Sequence, residues 1–287
     1  MANSLTRFLD LENKEFISLG GFNDQIKMRD GWMVYNKNDS YIGKSIKEYG
    51  EWSQGEIDLC KQVLTPSDVV IEVGSNIGSH TLALAKTVHQ GAVFAFEPQP
   101  VIFQNLCANM SINSITNTFC FNSALSDEKD EKLYFPNLDF TRENNFGAMS
   151  LTNEKNEYSQ LANIDTLDNR FADLKRLKLL KTDAEGMEVN VLKGGFDLIK
   201  RTKPFLYVEN DVHYIEKSQG LIELIWSLDY RIFWHILPLY NKNNFFKNEN
   251  NLFGRIHSFN MLGVRKDQKI SIDLPEVKDS SLYPKVI

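Results

Sequence analysis

The chain has 287 residues, of which 42% are hydrophobic and 24% charged, and its formal net charge is −6. This composition is ordinary for a folded globular protein, and the acidic balance excludes a chain whose main role is to wrap nucleic acid. The N-terminus has no apolar core of signal-peptide length, and no apolar run approaches the roughly 20 residues that span a bilayer. The three cysteines show no metal-binding spacing, which predicts free thiols in a reducing compartment. We therefore expect a cytoplasmic protein with no integral membrane segment and no nucleic-acid partner.

Residues 1–50 are predicted to form a small β-hairpin cap. Two short strand-like pieces, 25–28 and 32–35, flank Asp30-Gly31, a pair typical of hairpin turns. Gly43-Lys44-Ser45 imitates the end of a phosphate-binding loop, but no helical pattern follows it, so we discount that interpretation.

Ser53-Gln54-Gly55-Glu56 has the pattern of a helix capping box, and we expect a helix that ends before Pro66. From residue 69 onward strands and helices alternate. This alternation predicts a mostly parallel, doubly wound α/β sheet with helices on both sides and a final antiparallel strand. The predicted strands are 69–73, 92–96, 118–122, 177–182, 205–208, 230–234 and 259–264.

The less regular parts of the chain also give predictions. Short extra strands are expected near 132–135 and 148–151, and a single helix is expected to contain Val189, Leu192, Phe196 and Ile199. Residues 235–258 are expected to form a long, partly ordered loop that contacts substrate. The predicted organisation is a cap at 1–50, a Rossmann-like domain at 51–270 and a C-terminal tail at 271–287.

The stretch from Val69 to Gly78 carries the strongest functional signal. A buried strand leads into a glycine loop and a helix, and Glu97 ends the next strand. This pattern predicts an adenosine pocket in which the Glu97 carboxylate accepts hydrogen bonds from two ribose hydroxyls. A dinucleotide site needs a glycine where this chain has Asn76, whose side chain fills the room of a pyrophosphate. S-adenosylmethionine has no phosphate and fits better, with Glu72 suited to bind its ammonium group.

The third strand supplies the expected adenine pocket. Apolar side chains at its end could pack on the ring, while Asn122, Ser126 or Asp127 could read its amino edge. The predicted S-adenosylmethionine site comprises Glu72, Gly74, Ser75, Asn76, Gly78, Glu97, Pro98, Ser123, Ala124, Leu125 and Asp183.

The segment Lys181-Thr182-Asp183-Ala184-Glu185-Gly186, followed by Glu188 and Leu192-Lys193-Gly194, resembles the signature of the FkbM-family methyltransferases. The family pattern continues in residues 203–209 and begins in 49–52 and in the glycine loop. The resemblance implies a class I, Rossmann-like fold that binds S-adenosylmethionine. It also implies methyl transfer, usually to a hydroxyl of a sugar, polysaccharide, lipid glycan or secondary metabolite. This chain departs from the family in Met187, where many relatives carry His or an aromatic residue, and in Glu72 and Ser75, where Asp and Ala are commoner.

Acidic residues at the ends of two predicted strands are the candidates for chemistry. Asp183 is our first choice, with Glu185 and Glu209 beside it and His213 as an alternative base. Glu188 is expected to cap the following helix. Asp183, Glu209 and Asn210 also resemble the magnesium site of catechol-type O-methyltransferases, so Mg²⁺ is an alternative cofactor hypothesis.

We therefore predict an S-adenosylmethionine-dependent O-methyltransferase that acts on a sugar, glycan or secondary-metabolite hydroxyl. Three alternatives stay open: N-methylation of an amide or amine, an NAD-dependent oxidoreductase, and a catalytically inactive binding protein. A homodimer is open alongside a monomer.

Overall fold

The computed structural model describes residues 14–129, 131–157 and 159–283. The described part of the cap is a three-stranded antiparallel sheet of β1 (Phe16–Ser18), β2 (Asn23–Met28) and β3 (Gly31–Asn36). The strands β2 and β3 pair from Met28 opposite Gly31 onward, which confirms the hairpin predicted at Asp30-Gly31. The part of the predicted cap before residue 14 lies outside the described residues.

Two helices follow the cap sheet, α1 (Ile42–Tyr49) and α2 (Gln54–Val63). The expectation that no helix follows Gly43-Lys44-Ser45 is wrong, because these residues form the first turn of α1. Ile42, Ile46 and Tyr49 are all buried in this helix, and their spacing places them on one helical face. Burial of that face, which the sequence pattern had not singled out, stabilises the helix.

The remaining strands are β4 (Val69–Val73), β5 (Ala92–Phe96), β6 (Thr118–Phe121), β7 (Ala124–Leu125), β8 (Tyr134–Pro136), β9 (Ser159–Leu161), β10 (Ile164–Asp165), β11 (Leu179–Thr182), β12 (Phe205–Glu209), β13 (Tyr230–Pro238) and β14 (His257–Arg265). Seven of them form the central sheet in the order β13-β14-β12-β11-β4-β5-β6. In this sheet the neighbouring strands β12, β11, β4, β5 and β6 run parallel to one another. The strand β14 is antiparallel to both of its neighbours. The predicted doubly wound α/β sheet with a final antiparallel strand is confirmed.

The remaining helices are α3 (Ser79–Thr87), α4 (Pro100–Ile112), α5 (Leu167–Arg170), α6 (Glu188–Lys193), α7 (Phe196–Thr202) and α8 (Ile215–Ser227). The single helix predicted from Val189 to Ile199 is wrong, because the chain divides into α6 and α7 at Gly194-Gly195. A Cβ on Gly194 would lie 2.0 Å from the carbonyl oxygen of Ser126. This close approach to the loop after β7 holds the chain in a bend there. No helix in the described ranges is both long and apolar enough to cross a membrane.

Two irregular regions differ from the expectations. The strand predicted near 148–151 is wrong, since these residues are irregular, whereas the one near 132–135 is present as β8 and pairs with β9. The predicted loop 235–258 is shorter, because Leu237 pairs with Ser258 within a continuous antiparallel ladder. The rest of this loop is anchored by Tyr49, whose hydroxyl donates to the carbonyl oxygen of Asn250 at 2.8 Å.

The cap and the central sheet share one hydrophobic core. Ile26 and Met33 of the cap pack in the same cluster as Leu82 of α3, Ala95 of β5 and Leu106 of α4. The two faces of the sheet carry two further clusters. The cap is therefore fixed against α3 and α4.

Two asparagines of α4 and its C-terminus bind the free edge of the cap sheet. The Asn109 side chain accepts from the Val34 amide at 2.6 Å and donates to the Val34 carbonyl at 2.9 Å. Asn113 does the same for Trp32, at 2.9 and 2.6 Å. Positions four apart on a helix thus match positions two apart on β3, and the side-chain amides replace a neighbouring strand at an edge that would otherwise be unpaired.

We expect Asn109→Ala to lower the free energy of unfolding by about 2–4 kcal/mol, because it removes three hydrogen bonds in a buried site. The third of these bonds is donated to the Ile77 carbonyl at 2.8 Å. Urea unfolding followed by circular dichroism measures the change. Gln104→Ala, at an exposed position of the same helix, is the control and should stay within about 0.5 kcal/mol of the parent protein. Equal stability of the two variants would contradict the proposed anchoring of the cap.

Candidate functional site

A cavity of about 280 Å³ opens at the carboxyl ends of β4, β5, β11 and β12. This is the edge of an open parallel sheet at which ligands bind. Ten of the predicted donor-site residues line it: Glu72, Gly74, Ser75, Asn76, Glu97, Pro98, Ser123, Ala124, Leu125 and Asp183. The candidate catalytic residues Glu185 and Glu209 line it as well. Gly78, His213 and Asn210 are not among its lining residues.

The loop after β4 is held in place by Glu97. Asn76 has a positive φ of 49°, a conformation that asparagine tolerates better than most residues. Its amide donates to Glu97 Oε2 at 3.0 Å, and the Gln99 amide donates to Glu97 Oε1 at 2.8 Å. Each carboxylate oxygen keeps a further lone pair, so Glu97 can accept two hydroxyl groups without losing its hold on the loop.

Burial raises the pKa of Glu97 to about 7, although the two amide hydrogen bonds oppose that shift. The side chain is only 4% exposed. A hydroxyl-bearing ligand would stabilise the ionised form through added hydrogen bonds. Ligand binding and ionisation of Glu97 are therefore expected to be coupled.

The two glycines of the loop are required by packing of the chain against itself. Gly74 has φ of 81°, and a Cβ there would lie 1.7 Å from the Asp183 carbonyl oxygen. Gly78 has φ of 87°, and its Cβ would lie 2.6 Å from Leu106 Cδ1. Gly74 thus brings the glycine loop against the end of β11, whereas Gly78 allows α3 to pack on α4 away from the cavity.

Lys181 lies at the base of the cavity and is 2% exposed. Its Nζ is 3.9 Å from a carboxylate oxygen of Glu72 and 3.9 Å from one of Asp183. Burial by itself lowers the pKa of Lys181, but the charges of Asp183, Glu56 and Glu72 outweigh that effect and raise it. Glu72 also accepts a hydrogen bond from the Thr81 hydroxyl at 2.5 Å, so an ammonium group bound by Glu72 would share it with Lys181 and Thr81.

The acids at the strand ends form a crowded group. Burial, then the charges of Asp183 and Glu188, raise the pKa of Glu185 to about 8. Burial also raises the pKa of Glu209 well above its usual range, and the charges of Asp183 and Glu185 and a hydrogen bond with Asp183 add to the shift. Glu188 Oε1 accepts from the amides of Ala184 and Gly186 in the turn before α6. Glu188 lies in the first turn of that helix, but the helix has no side-chain cap, so the expected capping role is wrong. Asp183 and Glu209 therefore lie close enough to share a proton.

The residues of the magnesium hypothesis do not fit a metal ion. Within the described ranges, no group of three or more His, Cys, Asp or Glu side chains is arranged to hold one. Asn210 is 1% exposed, lies off the cavity lining and donates from Nδ2 to Met261 Sδ at 3.2 Å. We therefore assign no step of the chemistry to Mg²⁺.

The histidines and the other predicted adenine-pocket residues lie at the surface, have structural partners or lie off the cavity. His213 is exposed, and His235 bonds the Tyr207 hydroxyl at 2.8 Å beneath the surface. Asn122 donates to the carbonyls of Glu97 and Pro98, and neither Ser126 nor Asp127 lines the cavity. His80 does line it, and its Nε2 donates to the Trp52 carbonyl at 3.0 Å.

Three features of the site were missed in the sequence. Lys181 belongs to the family motif, and the sequence analysis assigns it no separate role. A lysine inside an apolar strand is itself a signal of a buried charge. The sequence predicts only a capping role for Glu56. That capping box is wrong, because the Ser53 hydroxyl donates to Glu56 Oε1 and caps no backbone amide. Residues of the segment from Asn145 to Leu151 line the cavity, and Gly147 lies against the Asn76 side chain of the glycine loop. The sequence pattern indicated only a short strand near 148–151 and no part in the site.

Acidic side chains greatly outnumber basic ones in the wall of the cavity. Six acidic residues line it, Glu56, Glu72, Glu97, Asp183, Glu185 and Glu209, whereas Lys181 is the one lysine or arginine among the described lining residues. Close carboxyl groups disfavour one another's ionisation. A cationic ligand would relieve this repulsion, and an anionic one would add to it.

The strand order of the sheet, with its antiparallel β14, defines a class I Rossmann-like fold of the methyltransferase type, and the cavity lies at the cofactor edge of that fold. A profile described as "Methyltransferase FkbM domain" matches residues 72–233, more than half of the chain. The chain belongs to the FkbM methyltransferase family.

Individual proteins are similar to parts of this chain. "Methyltransferase 1" of Beauveria bassiana is 28% identical over 158 residues, covering 48% of this chain and 63% of the relative. "Methyltransferase sdnD" of Sordaria araneosa is 28% identical over 174 residues, covering 48% and 64%. This chain thus spans less than two thirds of either relative. A crystal structure of methyltransferase FkbM from Methylobacillus flagellatus KT aligns with a TM-score of 0.47 and 17% identity, over 70% of this chain and 44% of that one.

We expect the affinity for S-adenosylhomocysteine to rise up to about tenfold between pH 6 and pH 7.5 as Glu97 ionises. The pKa of Glu97 is raised from an ordinary 4.5 to about 7. Without ligand, the contribution of Glu97 to the free energy of unfolding therefore falls as the pH rises from about 4.5 to about 7. Calorimetry at several pH values measures the affinity. Glu97→Gln should weaken binding at pH 7.5 by at least about tenfold and flatten the pH dependence. The exposed Glu128→Gln is the control, and an unchanged pH slope in Glu97→Gln would refute the assignment.

We expect Lys181→Met to lower the free energy of unfolding by about 3–5 kcal/mol, because it leaves the buried Glu72 without its cationic partner. Guanidinium chloride unfolding measures this. Lys175→Met, at an exposed position before β11, removes the same charge from the surface and should have little effect. Similar stabilities for the two variants would show that Lys181 does not hold the acids together.

Proposed function

We propose that this protein is an S-adenosylmethionine-dependent methyltransferase that methylates a hydroxyl oxygen of a sugar, glycan or hydroxylated secondary metabolite. The observation that carries the proposal is the wall of six acids and one lysine around the cavity. S-adenosylmethionine carries a sulfonium and an ammonium against one carboxylate, so its net positive charge suits this wall. The pyrophosphate of a dinucleotide carries two negative charges and does not.

The adenosine half of S-adenosylmethionine would lie against the glycine loop and the end of β5. Glu97, fixed by the Asn76 and Gln99 amides, would accept the two ribose hydroxyls. Ala124 and Leu125 offer apolar surface for the base. The crowded acids Glu72 and Asp183, which flank Lys181, would lie toward the charged methionine half.

Asp183 is the proposed catalytic residue. When bound, S-adenosylmethionine supplies an electrophilic methyl group attached to its sulfonium. As the acceptor oxygen bonds to the methyl carbon and the carbon–sulfur bond breaks, the hydroxyl proton passes to the Asp183 carboxylate. The Asp183 side chain is 34% exposed, so it can reach an acceptor in the cavity. Glu209, whose carboxyl hydrogen-bonds Asp183, would orient the Asp183 carboxylate, and Glu185 lies beside them at the cavity.

The alternatives differ in what they need from the site. N-methylation of an amide or amine is compatible with the same acids and is separated from O-methylation by the product. An NAD-dependent oxidoreductase conflicts with the acidic wall and with Asn76 in the glycine loop. An inactive binding protein gives no reason for Asp183, Glu185 and Glu209 to meet at one cavity. A cytoplasmic location belongs to the proposal, and it is supported by the three free cysteines.

We expect Asp183→Asn to lower kcat by about 10²–10⁴-fold, the usual contribution of a positioned base. Its affinity for S-adenosylhomocysteine should change much less. Steady-state kinetics and calorimetry on the same preparation separate the two effects. Asp211→Asn is the matched control, because it makes the same change at a nearby exposed position. It should keep kcat within about twofold. Retention of kcat in Asp183→Asn would remove Asp183 from the chemistry.

The proposed function is tested by transfer of labelled methyl groups from S-adenosylmethionine to a panel of sugars, glycan extracts and hydroxylated metabolites. Nuclear magnetic resonance of the product assigns the methyl group to oxygen or nitrogen. We expect O-methylation that is undiminished in EDTA. Calorimetry should show binding of S-adenosylhomocysteine and none of NAD. Binding of NAD alone would overturn the proposal, and an N-methyl product would favour the first alternative.

A further inference from the structure

Glu56 is a buried carboxylate in the wall of the cavity. It is the third residue of α2, and it is 3% exposed. Trp52, His80, Leu239, His257 and Ser258 line the same part of the cavity. None of these residues belongs to the predicted donor site. Trp52 precedes α2, His80 lies in α3, Leu239 follows β13, and His257 and Ser258 begin β14. Together with Glu56 they form the part of the cavity wall near Lys181 that we call the second compartment.

The two oxygens of Glu56 have different surroundings. Oε1 accepts hydrogen bonds from the Ser53 hydroxyl at 2.7 Å and from the Ser258 hydroxyl at 2.9 Å. Oε2 is buried and has no hydrogen-bond partner within the described residues. A structural role in joining the start of α2 to β14 is therefore fulfilled by Oε1 alone. The unpartnered Oε2 needs a separate explanation, because buried carboxylate oxygens are almost always hydrogen-bonded.

Glu56 is ionised at neutral pH despite its burial. Burial raises its pKa, but the charges of His80 and Lys181 and the two serine hydrogen bonds outweigh this effect and bring the pKa below its ordinary value. An ionised oxygen without a donor costs free energy in a buried site. A ligand that supplies a donor to Oε2 would recover that free energy on binding, which makes this oxygen a strong point of recognition.

The chemistry of the compartment selects among donors. An anion would meet the acids of the cavity wall. A hydroxyl group both donates and accepts, and this wall offers it both partners: the free acceptor Oε2 and the ammonium donors of Lys181. Trp52 and Leu239 add apolar surface of the kind that packs against the C–H face of a sugar ring. A neutral polyol can use both partners, whereas a protonated amine only donates and would bring a second positive charge beside Lys181.

We propose that Glu56 is the specificity-determining residue for the methyl acceptor and that it accepts, through Oε2, a hydrogen bond from a second hydroxyl of a neutral polyhydroxylated substrate. The methylated hydroxyl and the recognised hydroxyl would then be two groups of the same molecule. This inference rests on the proposed function, because it assigns the acceptor half of the site whose donor half binds S-adenosylmethionine.

The test uses the full chain saturated with S-adenosylhomocysteine and a panel of neutral methyl pyranosides of several stereochemistries, with glucosamine and glucuronate as charged comparisons. Binding is followed by the fluorescence of tryptophan, one of which, Trp52, lines the compartment. Glu56→Gln keeps an oxygen for Ser53 and Ser258 but replaces the free acceptor with a donor. Asp58→Asn is the matched control, because it makes the same carboxylate-to-amide change at an exposed position of α2 that does not line the cavity.

We expect at least one neutral pyranoside to bind the parent complex, and to bind Glu56→Gln at least about tenfold more weakly, which corresponds to about 1.4 kcal/mol. Asp58→Asn should change the same affinity by less than about threefold. The dissociation constant of S-adenosylhomocysteine should be the same within about twofold in all three proteins, which also shows that the variants are folded.

Three results would overturn the inference: no neutral pyranoside binds, glucosamine or glucuronate binds in preference, or Glu56→Gln binds the pyranoside as tightly as the parent protein. Each of these with S-adenosylhomocysteine affinity intact leaves the proposed methyl donor untouched. Failure of the parent protein to bind S-adenosylhomocysteine would instead refute the proposed function itself.

Discussion

The buried ammonium of Lys181 is the interaction on which the functional half of this structure depends. It lies beside Glu72 of β4 and Asp183 at the end of β11, and β4 and β11 are neighbours in the centre of the sheet. Several acids within a few ångströms of one another repel unless a cation separates them. Lys181 makes it possible for the protein to hold these carboxylates at one cavity. The desolvation of an isolated lysine is costly, so the lysine depends on the acids as much as they depend on it.

Around that charge, each neighbouring element contributes a distinct part of the site. Gly74 lets the loop after β4 approach the Asp183 carbonyl, so the proposed donor site and the proposed catalytic residue are fixed relative to each other by backbone contact. Glu97 fixes the same loop from the other side through two amide hydrogen bonds. The cap and the β13–β14 connection are joined by Glu51, which accepts from Arg29, Asn241 and the Phe245 amide. The acceptor compartment is thus enclosed by elements remote in sequence.

Much of the fold followed from local patterns. The strands β4 and β5 were predicted to the residue because each is a continuous apolar run bounded by turn or loop residues. Errors occurred where tertiary contacts override local preference. The chain divides at Gly194 because the Ser126 carbonyl lies against it, and that neighbour is invisible in the helical pattern around it. The helix α1 was missed because its stability comes largely from a face buried against the cap and the central sheet.

The sequence by itself determined the kind of protein: an alternating α/β chain, a glycine loop with Asn76, an acid after the second strand and the motif around Asp183, all of them features read from short spacings. Only the tertiary structure decided which charges meet. It placed His213 at the surface, brought Lys181 between acids of two strands, and turned Glu56 from a supposed helix cap into a cavity residue with a free oxygen. Burial and the identity of long-range partners set the behaviour of a charged side chain, and neither is encoded in the residues next to it.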